Sequence, residues 1–533
     1  MDPVTKSALP SSSPGPWNPG LCFDDLHLPN DLWIEVAVEL DPLDVLALSK
    51  ACRALHSLLT EKSIWIRILR STMKRLGPFI PSYSLPSMSV RELQRAATGP
   101  RRWERVLQAQ GVPHAWLPEA KPLDPFLLKK RDMRFSNDYV HLVPGGRFMF
   151  TMEIQHGRFD PLSGDTSEYG ATIVLWDMGC PGDASFTEPA RVADYNVVSE
   201  AFHPVQRLTI ALDVFIAGES MLRIAVVSTR PCAQRTRIVV LQISLHSTDR
   251  AFVKLASIDI PRSFRQFYAA VLRIRGDYVL LSDSGNIYLC NYVARRVVSW
   301  RFGTMEGTFH PAHQTVVLVD RHVVVLGSTA VRSWDISLLE FLPLGNASST
   351  ELSDLPPQVF LAPPWFLLSP PHTFSLAKIP HTASPNTLLF DFFYSTWHEG
   401  IQGKAMIRFE LSLDSSQAGE YRPSLMPLST GYFPSPEYFL PGGQLSESTG
   451  VCFKISKPCP SYAYSPADPS FPPNPSSQVL AKAGDRYAVT LVPLIEGVPK
   501  AACAFSGRVI CRSEVDQRAQ LERESVLCVD YLA

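Results

Sequence analysis

Thr315-Val316-Val317-Leu318-Val319, Arg321-His322-Val323-Val324-Val325-Leu326 and Val331-Arg332-Ser333-Trp334-Asp335 follow one another with only turn residues between them. Each run is short, apolar and rich in β-branched residues, which predicts three consecutive strands. Their near-continuous apolar character predicts a sheet buried on both faces. The same grammar occurs upstream, where Val140-His141-Leu142-Val143 and Arg147-Phe148-Met149-Phe150 flank Pro144-Gly145-Gly146 and are answered by Thr172-Ile173-Val174-Leu175-Trp176-Asp177. It returns in Tyr278-Val279-Leu280-Leu281 with Ile287-Tyr288-Leu289-Cys290, then in Tyr487-Ala488-Val489 and Arg508-Val509-Ile510-Cys511. The final run, Val526-Leu527-Cys528-Val529-Asp530-Tyr531-Leu532, is apolar enough to be a strand of a closing sheet.

Composition supports this reading. The chain has 533 residues, 45% of them hydrophobic and 19% charged, so it can bury a sizeable core. Its 46 prolines, about 8.6% of the chain, exclude long helices over most of it. A formal net charge of -1 argues against a nucleic-acid binder. That charge is unevenly spread. Residues 1–134 hold 18 basic and 14 acidic residues, leaving a net of -5 for 135–533. Asp24 to Asp44 contains seven acids and no Lys or Arg, whereas Lys50 to Arg105 contains twelve bases and three acids. Adjacent faces of opposite sign fit a docking module better than a catalytic pocket.

The ten cysteines include no C-x-x-C pair and no grouping with two histidines, so no zinc site is expected. Several lie within apolar runs, as small buried hydrophobes do. The first twenty residues, rich in Ser, Pro and Gly, read as a disordered lead-in and lack the pattern of a signal peptide. Leu355–Ala377 carries no formal charge, but its six prolines exclude a membrane helix. The expected setting is the cytoplasm, the nucleus or both, with no membrane partner.

Residues 28–70 differ from the rest. Leu32, Val36 and Leu40 recur every fourth position, the period of a helix. Asp41-Pro42-Leu43-Asp44 restarts the chain with an N-cap acid and a proline in the first turn. Short helical runs follow through Leu55, Leu58, Leu59, Ile64-Trp65 and Ile68-Leu69. So small a unit leaves leucines that a partner or neighbouring domain must cover. Ser89 and Glu92 form a capping-box pattern, which predicts one or two further helices over 87–110 with Trp103 as core filling.

Leu28-Pro29-x-Asp31-Leu32, Val36, Leu40-Asp41-Pro42-x-Asp44-Val45-Leu46, Leu48-Ser49, Cys52-Arg53 and Trp65 resemble an F-box. Asp31 replaces the usual Glu, Val36-Ala37 the usual bulky pair and Ala51 the usual Val. The helical stretch that follows is similar to that of many fungal F-box proteins and implies a rigid neck. The two Trp-Asp endings, Trp176-Asp177 and Trp334-Asp335, with Gly-containing turns elsewhere, resemble degenerate WD-type propeller blades.

The resemblance implies an α+β multidomain chain. A disordered lead-in over 1–20, an F-box module over 24–70 and a helical neck over 71–134 would precede an all-β propeller-like domain over 135–533. That domain would have about six to eight blades, with proline-rich loops at 343–385 and 456–478. The implied partner is the Skp adaptor, and through it cullin, with Leu28, Pro29, Leu32, Val36, Leu40, Pro42, Leu46, Leu48, Cys52 and Trp65 as the docking residues. The propeller would hold an unidentified protein substrate of a ubiquitin ligase. No catalytic residue, cofactor or metal is expected. Gly-x-Ser-x-Gly and His-Glu-x-x-His are absent, and Gly400-Ile401-Gln402-Gly403-Lys404-Ala405 lacks the spacing of a phosphate loop. Gly145-Gly146 reads as a hairpin turn. Trp365 and Trp397 are candidate loop anchors for a partner. A non-degradative F-box scaffold and a propeller enzyme are the alternatives.

Overall fold

The computed structural model describes residues 28–110 and 133–135 and, from residue 140 onward, the strands of the β region with many of the turns between them. The expected lead-in over 1–20 and Trp365 lie outside the described residues.

Five α-helices open the described chain: α1 (Asn30–Glu39), α2 (Pro42–Leu48), α3 (Arg53–Leu59), α4 (Lys62–Leu76) and α5 (Val90–Gln110). Their ends follow local chemistry. Asp41 caps α2, its Oδ1 accepting the Leu43 N–H at 2.9 Å, and Pro42 occupies the first turn where its missing N–H is harmless. Gly77 ends α4 in the left-handed region (φ 68°), its N–H donating to the Met73 carbonyl at 2.8 Å. The expected capping box opens α5: the Ser89 N–H donates to Glu92 Oε2 at 2.6 Å, and the Glu92 N–H to Ser89 Oγ at 3.3 Å. Residues 87–110 thus give one α-helix, with Pro100 inside it and Trp103 buried. Because α4 runs unbroken to Leu76, no boundary falls at residue 70, and the expected division between module and neck is corrected there.

The described strands form seven sheets, antiparallel apart from one short parallel strand added to the third. A short strand, β1 (Met133–Phe135), precedes them, two residues before the expected start of the β domain. The first sheet is β2 (Val140–Leu142), β3 (Phe148–Gln155), β4 (Gly170–Asp177) and β5 (Ala190–Val198); the second is β6 (Thr209–Ile216) to β9 (Val253–Pro261). The third is β10 (Val271–Arg275), β11 (Tyr278–Asp283), β12 (Asn286–Asn291) and β13 (Arg296–Arg301). The fourth takes β14 (Thr315–Val319), β15 (His322–Leu326) and β16 (Val331–Asp335), and detours before its last strand. In that detour β17 (Leu342–Pro343) and β18 (Ser353–Asp354) pair with β13, covering the edge of the third sheet, and β19 (Val359–Leu361) then completes the fourth. The fifth is β20 (His372–Leu376), β21 (Thr387–His398), β22 (Ile401–Ser412) and β23 (Ser424–Phe433), and the sixth β24 (Phe439–Pro441) to β27 (Ala488–Pro493). In the seventh, β28 (Val498–Cys503), β29 (Arg508–Arg512) and β30 (Glu524–Asp530) are joined by β1, so Met133 pairs with Val526 across almost the whole domain.

First strands of successive sheets lie side by side, β6 by β10, β10 by β14, β20 by β24 and β28 by β2. A ring of consecutive antiparallel sheets, closed by an early strand in the last one, is a β-propeller. Each sheet is buried between its neighbours, which explains the uniformly apolar strands; every residue of β15 is buried. Trp176 and Trp334 both end the third strand of a sheet. Trp334 is fully buried and packs against Trp300 with ring centroids 5.6 Å apart, whereas Trp176 is half-buried and donates from Nε1 to Thr151 Oγ1 at 2.8 Å. Register shifts recur between the third and fourth strands of the first, second and fifth sheets, where a bulge adds local twist.

Several loop expectations are corrected. The proline-rich stretch 343–385 supplies β18, β19, β20 and the end of β17, and 456–478 supplies β26 (Tyr462–Ala467). Proline is tolerated there because these strands are edges or are paired on one side: Pro466 pairs only towards β27. Trp397 belongs to β21 and so is not on a loop.

The helices sit on the seam where the propeller closes. Leu142, Met149, Cys503, Phe505 and Ile510 share one buried cluster with Trp65, Leu69 and Leu93. A wedge after α4 enters the seam: the Phe79 N–H donates to the Pro144 carbonyl at 2.8 Å, and Ser82 Oγ reaches the same carbonyl at 3.3 Å. Gly145 and Gly146 form the expected hairpin turn, with φ of 101° and 77°. A Cβ on Gly145 would lie 2.5 Å from Ser82 Oγ, and one on Gly146 2.2 Å from Ser506 Oγ. Arg508, only 1% exposed, donates to the carbonyls of Gly146 (2.8 Å), Gly179 (3.0 Å) and Met178 (3.3 Å). Gly146→Ala is therefore expected to destabilise the protein by about 2–4 kcal/mol in chemical denaturation, combining left-handed strain with overpacking. Full stability in that variant would contradict the tight seam.

Candidate docking surface

Leu28, Leu32 and Val36 are 41%, 50% and 41% exposed and recur at every fourth residue, so they form one apolar row on α1 and its approach. The opposite face of α1 packs inward: Ala37 is fully buried and Trp33, Ile34 and Val38 partly so. Ala37 thus replaces a larger side chain in the core, whereas Ala51 is exposed. Pro29, also exposed, starts the helix, its carbonyl accepting from the Leu32 and Trp33 N–H groups. Leu40, Leu46, Leu48 and Cys52 are half-buried beside the same helices.

Pro42 and Trp65 differ from the expectation that all ten residues touch a partner. Pro42 is buried, and Trp65 is 0% exposed with its Nε1 donating to the Leu59 carbonyl at 2.6 Å. The indole belongs to the internal core. Its face of α4, with Ile64, Ile68, Leu69 and Met73, is buried and, Thr72 apart, apolar, so burial here removes Trp65 from any external contact.

Charge positions the row. Glu35 pairs with Arg67 at 2.7 Å, tying α1 to α4, and Asp41 accepts from Arg101 Nε at 2.8 Å, tying the α2 cap to α5. Both pairs are largely exposed and individually add little stability; they fix direction. Asp31, Glu39 and Asp44 remain on the surface near the row.

A second set of residues, legible only in three dimensions, holds this surface to the propeller. Arg147 donates to both carboxylate oxygens of Asp177 (2.9 and 2.7 Å), to the Pro81 carbonyl (3.2 Å) and to Ser84 Oγ (2.9 Å). Asp177 holds the Arg147 guanidinium pKa above its ordinary value, against the effect of burial. The aspartate of one Trp-Asp ending therefore acts through Arg147 on the neck. Cys503 Sγ accepts the Gly145 N–H at 3.3 Å from the closing sheet. Among the described residues no group of three or more metal-ligating side chains occurs. Burial pushes the Cys290 thiol up to about 12, which makes it unreactive at neutral pH.

Comparison with protein families matches residues 26–67 to the F-box domain. Residues 26–67 are an F-box domain. F-box domains typically bind a Skp adaptor within SCF complexes, and F-box proteins are in general non-catalytic substrate adaptors. No curated protein matches the chain. Among solved structures, the chain is similar to the WD40 domain of SCAP from fission yeast (8% identity, 74% of this chain and 82% of that one, TM-score 0.34). It is also similar to the N-terminal domain of Nup159 (10%, 77% and 92%, TM-score 0.31) and the AfRom2 CNH domain (10%, 55% and 99%, TM-score 0.17). The propeller assignment rests on the sheet order and ring closure.

Two substitutions separate surface from support in the F-box. Leu32→Asp is expected to change unfolding free energy by no more than about 0.5 kcal/mol. Trp65→Ala should cost about 3–5 kcal/mol. Thermal and urea unfolding of the two variants, measured in parallel, checks the assignment; similar losses in both would place Leu32 in the core.

Proposed function

We propose that this protein is the substrate-recruiting subunit of an SCF-type cullin–RING ubiquitin ligase. The observation that carries the reading is the exposed Leu28–Leu32–Val36 row on an F-box domain whose other faces are fixed to a propeller. Apolar groups held outward on a rigid helix have little ordering entropy left to lose when a partner covers them. Leu28, Pro29, Leu32 and Val36 are the direct contacts to the Skp adaptor, and Leu40, Leu46, Leu48 and Cys52 flank them. Pro42 and Trp65 support the row from beneath. Asp31, Glu39 and Asp44 steer the adaptor's approach.

The propeller binds the target protein and holds it at a fixed distance from the ubiquitin-carrying enzyme. The chain itself forms and breaks no bonds; it raises the effective concentration of target lysines by tethering. It works in the cytoplasm, the nucleus or both, where SCF components meet their targets.

Binding of a purified Skp adaptor to the full chain tests this directly. The wild-type protein is expected to retain the adaptor at low micromolar concentration, and Leu32→Asp/Val36→Asp to weaken it by at least about 100-fold, as loss of two central apolar contacts does. Failure of the wild-type chain to bind at tens of micromolar would remove the ligase reading.

A further inference from the structure

Arg91, Arg95 and Arg102 lie on one face of α5, within about 40° of each other at 100° per residue. The opposite face carries the buried Leu93 and Ala97, while Thr98, which is buried, and Pro100 lie between Arg95 and Arg102 along the helix. Beside this face, between α5, the wedge and the first sheet, is a cleft of about 350 Å³ lined by Ser84, Ser87, Arg95, Arg147 and Cys180 among others. Two carboxylates, Glu92 and Asp177, also line it, and both are engaged. Asp177 is held by Arg147, and Glu92 accepts from both the N–H (2.6 Å) and Oγ (2.8 Å) of Ser89. Among the described residues, no salt bridge neutralises Arg91, Arg95 or Arg102, whereas Arg67 and Arg101 each have a carboxylate. Arg102 is half-buried, and its guanidinium pKa is lowered by burial and by the charge of Arg95, so the two cations repel across a partly desolvated surface.

We propose that this arginine face and its cleft dock an extended acidic segment of a second protein. At 1.5 Å rise per residue, Arg91 and Arg95 are about 6 Å apart along the axis and Arg95 and Arg102 about 10 Å. An extended peptide advances about 3.3 Å per residue. Carboxylates at positions n and n+2 lie on one face of such a peptide and meet Arg91 and Arg95, the second entering the cleft mouth, and the same-face carboxylate at n+6, about 13 Å beyond n+2, comes within side-chain reach of Arg102. Bidentate pairing with carboxylates suits arginine in particular. The surface lies on α5, and its occupation does not depend on the adaptor reading.

The test uses the full chain and a fluorescent peptide of about ten residues, Glu at the n, n+2 and n+6 positions in a Gly/Ser/Ala background. Two control peptides carry Gln in place of Glu, or the same three Glu in consecutive positions. Anisotropy should show binding of the spaced Glu peptide that falls steeply as salt rises past about 0.1 M, with no binding of the Gln peptide and several-fold weaker binding of the clustered one. Arg91→Gln, Arg95→Gln and Arg102→Gln should each weaken it about three- to ten-fold. Arg70→Gln on α4 should leave it unchanged. Absence of binding, equal binding of the Gln peptide, or an Arg70→Gln effect equal to the others would overturn the proposal. So would a phosphoserine peptide of the same spacing binding more than about ten-fold tighter, since the recognised group would then be phosphate.

Discussion

A guanidinium that is almost wholly withdrawn from water must find its acceptors within the protein. Arg508 finds them in the carbonyls of Gly146, Met178 and Gly179, in the turns that enter β3 and leave β4 at one end of the first sheet. The side chain comes from the last sheet, so the hydrogen bonds can form only when the ring is closed. The same turn is pressed from the other side by Ser82 of the wedge, with no space for a Cβ at either glycine. Closure of the ring and seating of the helices are therefore one event. The orientation of the F-box row depends on it.

Much of this was legible in sequence because local chemistry decides it. The Asp41-Pro42 start of α2, the Ser89–Glu92 box and the Gly145-Gly146 turn each depend on neighbours within a few residues, and all three stand as read. Uniform apolar runs such as His322–Leu326 announce sheets covered on both faces. The last strand was legible because its apolar pattern has no use in a free tail.

What was not legible depends on pairing over long separations. Prolines in 343–385 and 456–478 read as loops, yet a strand residue paired on one side only, such as Pro466, needs no N–H towards the other. Trp65 stood in the F-box pattern without any sign of which way the indole points; the apolar stripe of α4, not the motif, settles that it faces inward. Arg147 and Arg508 look like ordinary charged residues in sequence. Their partners lie 30 or more than 300 residues away, and no local pattern marks them. The Gly77-Pro78-Phe79 exit from α4 was the one available signal, since an apolar residue directly after a helix stop has to be buried somewhere.

The pairing of β1 with β30 also has a consequence in time. A ribosome adds about 5–20 residues per second, so the roughly 390 residues between these strands take on the order of 20–80 s to appear. During that interval β1 has no partner strand, and the helical module lacks Cys503, Phe505 and Ile510, which complete its core. The nascent chain therefore exposes its most apolar helical surface long before the covering residues exist. That places the burden of solubility during synthesis on whatever binds those helices first.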